Sequence, residues 1–176
     1  MKICVISDSH GRTDRIDQIL RRHLEIDLLL HAGDHADDVA DRRDVRCKAV
    51  CGNCDVAGTA PDEQLLDLAG LRVLLTHGHL YKVKQTLLPL SYRAKETNAQ
   101  LVIFGHSHVP VIVEEEGIVF LNPGSLSYPR GVVSVPTYAI VRIHSLDAGQ
   151  NVAIRLYSVN GDEFPEFRYE HTFANC

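Results

Sequence analysis

Five apolar runs in this chain each stop at a short polar motif, and that repeated hand-over most limits what the chain can fold into. The motifs are Asp8-Ser9-His10, Gly33-Asp34, Gly52-Asn53, His77-Gly78-His79 and Gly105-His106-Ser107-His108. A short apolar run bounded by turn residues reads as a buried strand. Lys2 to Ser7, Leu28 to Leu30, Val45 to Val50, Leu71 to Leu75 and Leu101 to Phe104 all read this way. Between the first two runs, Ile16, Ile19, Leu20 and Leu24 form a helical stripe, with Thr13 as its expected N-cap. Strand, helix and strand in alternation argue for an α/β layer architecture.

A second helical stretch is expected across Val83 to Asn98, bent or broken at Pro89. The texture changes near residue 109. Val109 to Val113, Ile118 to Leu121, Thr137 to Ile143 and Val152 to Val159 are short β-rich runs joined by turn residues, which suggests antiparallel strands. The tail from Gly161 to Cys176 is polar with scattered aromatics and yields no element. The fold expected is an α/β four-layer sandwich, two mixed β-sheets face to face with helices outside. One domain is expected over residues 1–176.

The chain has 176 residues, enough for a substantial core. A net charge of -5 argues against a broad nucleic-acid-binding face, so no stable nucleic-acid partner is expected. No apolar run approaches the roughly 20 residues needed to span a membrane. The apolar start runs straight into Asp8 and is too short for a signal-peptide core. The five cysteines, Cys4, Cys47, Cys51, Cys54 and Cys176, are odd in number and irregular in spacing. That fits reduced thiols in a cytoplasm.

In open α/β sheets, sites form beyond the carboxyl ends of strands. Here five such ends each deliver an acid, an amide or an imidazole. Asp8 and His10 are two apart, so both side chains face one way on an extended segment, as do those of His106 and His108. Asp, Asn and His together hold divalent cations, and two close cations are a device for cleaving phosphate esters. Each motif alone is common in turns; their order and placement carry the argument.

Other residues take simpler readings. Cys51-x-x-Cys54 lacks the second ligand pair of a structural zinc site and the helix of a redox pair. His31 reads as a hydrogen-bonded core histidine, and His35 is left unassigned. His23, His144 and His171 read as surface or structural. Glu114-Glu115-Glu116 reads as a solvated hairpin tip.

The ordered set, with the following Asn122-Pro123-Gly124-Ser125 turn, resembles the calcineurin-like metallophosphoesterase superfamily, and within it the small single-domain phosphodiesterases. The resemblance implies two metal sites bridged by Asp34. Asp8, His10 and His108 would complete one, and Asn53, His77 and His106 the other. It implies two divalent cations, Mn²⁺ first, with Fe, Ni²⁺ or Zn²⁺ as alternatives. The implied reaction is hydrolysis of a small phosphodiester by a metal-bound hydroxide attacking in line. Larger members carry Gly-Asn-His-Asp/Glu where this chain has Gly52-Asn53-Cys54-Asp55, so the leaving group's proton donor is open. Cys54 is a poor substitute for imidazole, leaving a solvent water or His79, which is expected to act either as proton donor or as a phosphate contact. Asp55 is expected to orient a ligand histidine.

Two other functions stand beside this one. Retromer's metallophosphoesterase-like subunit uses such a fold as an interaction scaffold with an eroded site, whereas here every candidate ligand is present. A phosphomonoesterase would want extra cations, which Arg12 and Arg130 could supply. Exposed strand edges also admit a homo-oligomer.

Overall fold

The computed structural model describes residues 1–147 and 149–174. Cys176 lies outside the described residues. Eleven strands form two mixed sheets among these residues. The first runs β11-β10-β9-β1-β2-β3. Its members are β1 (Lys2–Ile6), β2 (Leu28–His31), β3 (Cys47–Ala49), β9 (Thr137–Leu146), β10 (Gly149–Ser158) and β11 (Glu163–Ala174). The second runs β4-β5-β6-β8-β7. It contains β4 (Glu63–Leu68), β5 (Leu71–Thr76), β6 (Leu101–Ile103), β7 (Val111–Glu115) and β8 (Ile118–Asn122). β1, β2 and β3 are parallel in the first sheet, as are β5, β6 and β8 in the second, and antiparallel strands flank both groups.

Strand alternation sorts the apolar residues into three layers. Ile3, Val5, Leu28 and Leu30 pack against Val73, Leu75, Leu101 and Ile103 between the sheets. On the outer face of the first sheet, Cys4, Ile6 and Leu29 meet Ile16 and Ile19 of α1 (Thr13–Arg22). Leu74, Val102 and Phe120, on the outer face of the second, meet Leu90 and Ala94 of α2 (Leu88–Glu96). The result is the expected four-layer sandwich. No helix among the described residues is long and apolar enough to cross a membrane.

Several expectations need correction. Arg12, not Thr13, stands at the cap position of α1, and no side chain caps it. Leu24 lies beyond the helix and is 87% exposed. The helix expected over Val83 to Asn98 begins only at Leu88. Pro89 opens it rather than bending it, because its fixed φ suits the first turn and its missing N–H is not needed there. The polar tail forms the twelve-residue strand β11. β4 was not expected at all.

Candidate metal centre

The site lies beyond the carboxyl ends of the parallel strands, across both sheets. The loop after β1 carries Asp8 and His10, that after β2 carries Asp34, and that after β5 carries His77 and His79. The loop after β6 carries His106 and His108. Two bonds tie the sheets together here. His77 Nδ1 donates to Ala32 O at 2.7 Å, and the His106 amide donates to Asp8 Oδ2 at 3.2 Å.

Asp8, His10, Asp34 and His108 bring one ligand atom each to within 4.8 Å of one another. His77 reaches the same centre from the other sheet, its Nε2 standing 3.4 Å from Asp34 Oδ1. The His106 ring centroid is 5.1 Å from that of His77. Asn53 follows Gly52, whose backbone packs on Asp34, but its own side chain is exposed and donates to Cys54 Sγ at 3.3 Å. Six of the seven expected ligands are thus gathered, and Asn53 stands at the rim.

The hydrogen bonds fix which imidazole nitrogens are free. A carbonyl only accepts, so His77 Nδ1 and His108 Nδ1 must carry the protons that bind Ala32 O and Tyr128 O, each at 2.7 Å. In the neutral rings, Nε2 then presents a lone pair. His108 Nε2 faces Asp8 Oδ1 at 3.0 Å and His77 Nε2 faces Asp34 Oδ1. Two acceptors at such distances need a shared cation, a proton or a metal ion. Asp8 Oδ1, His10 Nε2 and His77 Nε2 are all buried without a hydrogen-bond partner among the described residues. The donor set therefore fits divalent metal ions.

The electrostatics agree. Burial opposes ionisation of Asp34, but His77 and the Cys54 amide outweigh it and hold the carboxyl well below the ordinary range. Burial likewise opposes ionisation of Asp8, yet His108 and His77 pull it down. Burial, aided by charge on His77 and Lys84, pushes His106 down to about 4. Desolvation, reinforced by Asp34, pushes the Cys54 thiol up to about 11.

Five of the seven candidate ligands, Asp8, His10, Asp34, His106 and His108, have left-handed backbones with φ between 45° and 64°. Non-glycine residues rarely adopt that conformation, and such strain gathers at functional sites. Nothing in the sequence signals it. Supporting residues hold the loops in place. His31, fully buried as expected, accepts from the Gly33 amide and binds Ser9 Oγ through Nε2, and Ser9 donates on to Asp38. Ser125 Oγ donates to Asp8 O, and Asn122 Nδ2 donates to Gly105 O.

Asp55 differs from expectation. Its carboxylate accepts from the Ala36 and Gly52 amides, both at 2.7 Å, so it joins two loops instead of orienting a histidine. Cys51 is a structural thiol bonded to Ala60 O, and Cys54 is exposed and free. Arg12 is engaged by Asp14 through two bonds of 2.9 Å, and Arg130 is exposed. His79 is half-buried, with its centroid 5.3 Å from that of His77.

Residues 1–146 match the calcineurin-like phosphoesterase superfamily domain. The Bacillus subtilis (strain 168) protein named "Probable metallophosphoesterase YsnB" is 38% identical over 169 residues, covering 96% of this chain and 97% of its own. Phosphodiesterase YfcE of Escherichia coli (strain K12) is 32% identical over 159 residues, covering 74% of this chain and 82% of its own. The solved structure of a predicted phosphoesterase from Streptococcus pneumoniae TIGR4 superposes with a TM-score of 0.83 at 29% identity, over 98% of this chain and 97% of that one. With the ordered ligand motifs and the two-sheet sandwich, these likenesses settle the family: the chain belongs to the calcineurin-like phosphoesterase superfamily.

Proposed function

We propose that the chain, acting as one domain over residues 1–176, is a phosphodiesterase that hydrolyses small phosphodiesters with two divalent cations. The observation that carries this reading is the position of Asp34. Its Oδ1 faces His77 Nε2 at 3.4 Å and its Oδ2 faces His10 Nε2 at 3.7 Å. A carboxylate so placed would serve both a cation held with Asp8, His10 and His108 and a second held with His77 and His106, which Asn53 would join by turning in from the rim. Such cations would offset charge on the phosphoryl oxygens and acidify the attacking water. The mixed oxygen and imidazole donors suit Mn²⁺, with Fe, Ni²⁺ and Zn²⁺ as alternatives.

The chain's own groups do the positioning. Asp8 and Asp34 stay ionised and supply negative charge without first losing a proton. The Ala32 and Tyr128 carbonyls fix the His77 and His108 tautomers. The Cys54 thiol stays protonated at neutral pH and yields its proton poorly. The leaving group therefore takes its proton from His79 or from solvent. Of the two cations a monoester would call on, Arg12 is engaged by Asp14 and Arg130 stands exposed.

The test is hydrolysis of bis-p-nitrophenyl phosphate by metal-stripped protein, before and after Mn²⁺ is added. Turnover only with metal is the expected result. Folded protein inert with all four metals would replace this reading with an interaction scaffold on the same fold.

A further inference from the structure

A cavity of about 320 Å³ lies beside the centre, and the hydrolysis outlined above gives it no task. Val83, Leu87, Phe104 and Val109 make its apolar walls, and Lys84 and Ser107 its polar edge. Two contacts tie it to the metal-ligand turns. Ser107 stands between His106 and His108 in the chain. Val83 packs on the His77-Gly78-His79 turn so closely that a Cβ on Gly78 would lie 2.9 Å from Val83 Cγ2, and the Val83 amide donates to Gly78 O at 3.4 Å. Lys84 is exposed, and its charge acts on His106.

We infer that this cavity receives an aromatic ester group of the substrate, seated on Leu87, Val109 and Val111, while Lys84 faces the anionic phosphoryl group. The inference rests on the phosphodiesterase reading and deepens it. A diester carries one negative charge and two ester groups. One lysine at the edge of an apolar cavity matches one such charge beside one such group. The apolar walls would penalise a second charged group. A planar ring gains most from them, because it buries a large apolar area for its size. The volume sits at the lower end of the roughly 300–1,000 Å³ usual for small-molecule sites.

Phenyl phosphate and inorganic phosphate make the test, since near pH 8 both are largely dianions and differ chiefly in the ring. Binding of each to Mn²⁺-loaded protein is measured by calorimetry. The wild type is expected to prefer phenyl phosphate by about tenfold. Leu87→Asn should narrow that preference to about threefold or less. Leu87 is only half-buried and asparagine is neutral, so folding is expected to persist. A wild type that binds both alike would overturn the inference, as would a folded variant with its preference intact. The same preparations are assayed on bis-p-nitrophenyl phosphate. Preference without turnover rejects the phosphodiesterase reading and keeps the cavity; turnover without preference does the reverse.

Discussion

A Cβ atom on Gly52 would lie 2.1 Å from Asp34 Oδ1 and 2.4 Å from the Asp34 backbone nitrogen. Both are far inside van der Waals contact, so Asp34 occupies the space that any side chain at 52 would need. Gly52 is thus required by a close approach between two loops. Gly52→Ala should push Asp34 out of place and lower metal affinity by about a hundredfold, in line with losses of metal-supporting contacts. Metal titration followed by calorimetry checks this, and near-normal affinity in the variant would mean that the loops move apart freely.

Asp34→Asn should remove metal and activity together. The substitution takes away a charge that faces two imidazoles and leaves an amide with half the acceptor capacity. Saturating Mn²⁺ should raise the melting temperature of the wild type, because a ligand that binds only the folded state stabilises it. The variant should show little rise and at least about a hundredfold lower turnover. Full activity in the variant would remove Asp34 from the bridging position.

Asp55 acts on the centre through backbone. Its two oxygens hold the Ala36 and Gly52 amides, the first two residues beyond Asp34 and the second one before Asn53. In Asp55→Asn, the amide NH₂ must face a backbone N–H in place of one acceptor oxygen. Metal affinity is expected to fall by about 10- to 100-fold, with a modest loss of stability of about 1–3 kcal/mol. A stability loss without any change in metal affinity would show that the two loops hold their positions independently.

How much of this was legible follows from where the signals lie. β1, β2, β5 and β6 are buried, so continuous apolar runs mark them, and their ends name the ligands directly. β11 has no continuous apolar run, because polar and charged residues fill one of its faces. Phe167, Tyr169, His171 and Phe173 on its other face alternate along the chain with Arg168, Glu170 and Thr172, the period of a strand. Pro165 obscured that pattern, and it sits where the register with β10 shifts between Ile154 and Leu156. The ligand motifs were readable as types and spacings. The roles of Asp55 and His31, and the left-handed backbone at five candidate ligands, depend on contacts between loops distant in sequence, which no local pattern encodes.

β4 is hidden in the sequence for a different reason: its turn carries a weak signal. Ala69 and Gly70 form the two-residue loop between β4 and β5, with φ of 55° and 83°. Two positive φ values favour Asn-Gly, and alanine pays a steric penalty at the first. Ala69→Asn should therefore stabilise the fold by about 0.5–1 kcal/mol. Urea unfolding checks it, and a destabilised variant would show that the Ala69 methyl has a packing role.

His31 predicts a pH dependence of stability. Complete burial pushes its imidazole down to about 4, against an ordinary value of 6.5. The folded protein thus keeps the ring neutral where the unfolded chain takes up a proton. The sign follows: the stability is fully present above pH 6.5 and is lost as pH falls towards 4. Across that window the shift corresponds to about 3 kcal/mol. His31→Gln keeps groups able to bind Ser9 and the Gly33 amide but cannot titrate. Urea unfolding of chelator-treated protein at pH 7.5 and 4.5 separates the two. The wild type should lose about 2 kcal/mol more than the variant between those values. Equal losses would mean that His31 gains its proton without opening the network that joins Gly33, Ser9 and Asp38.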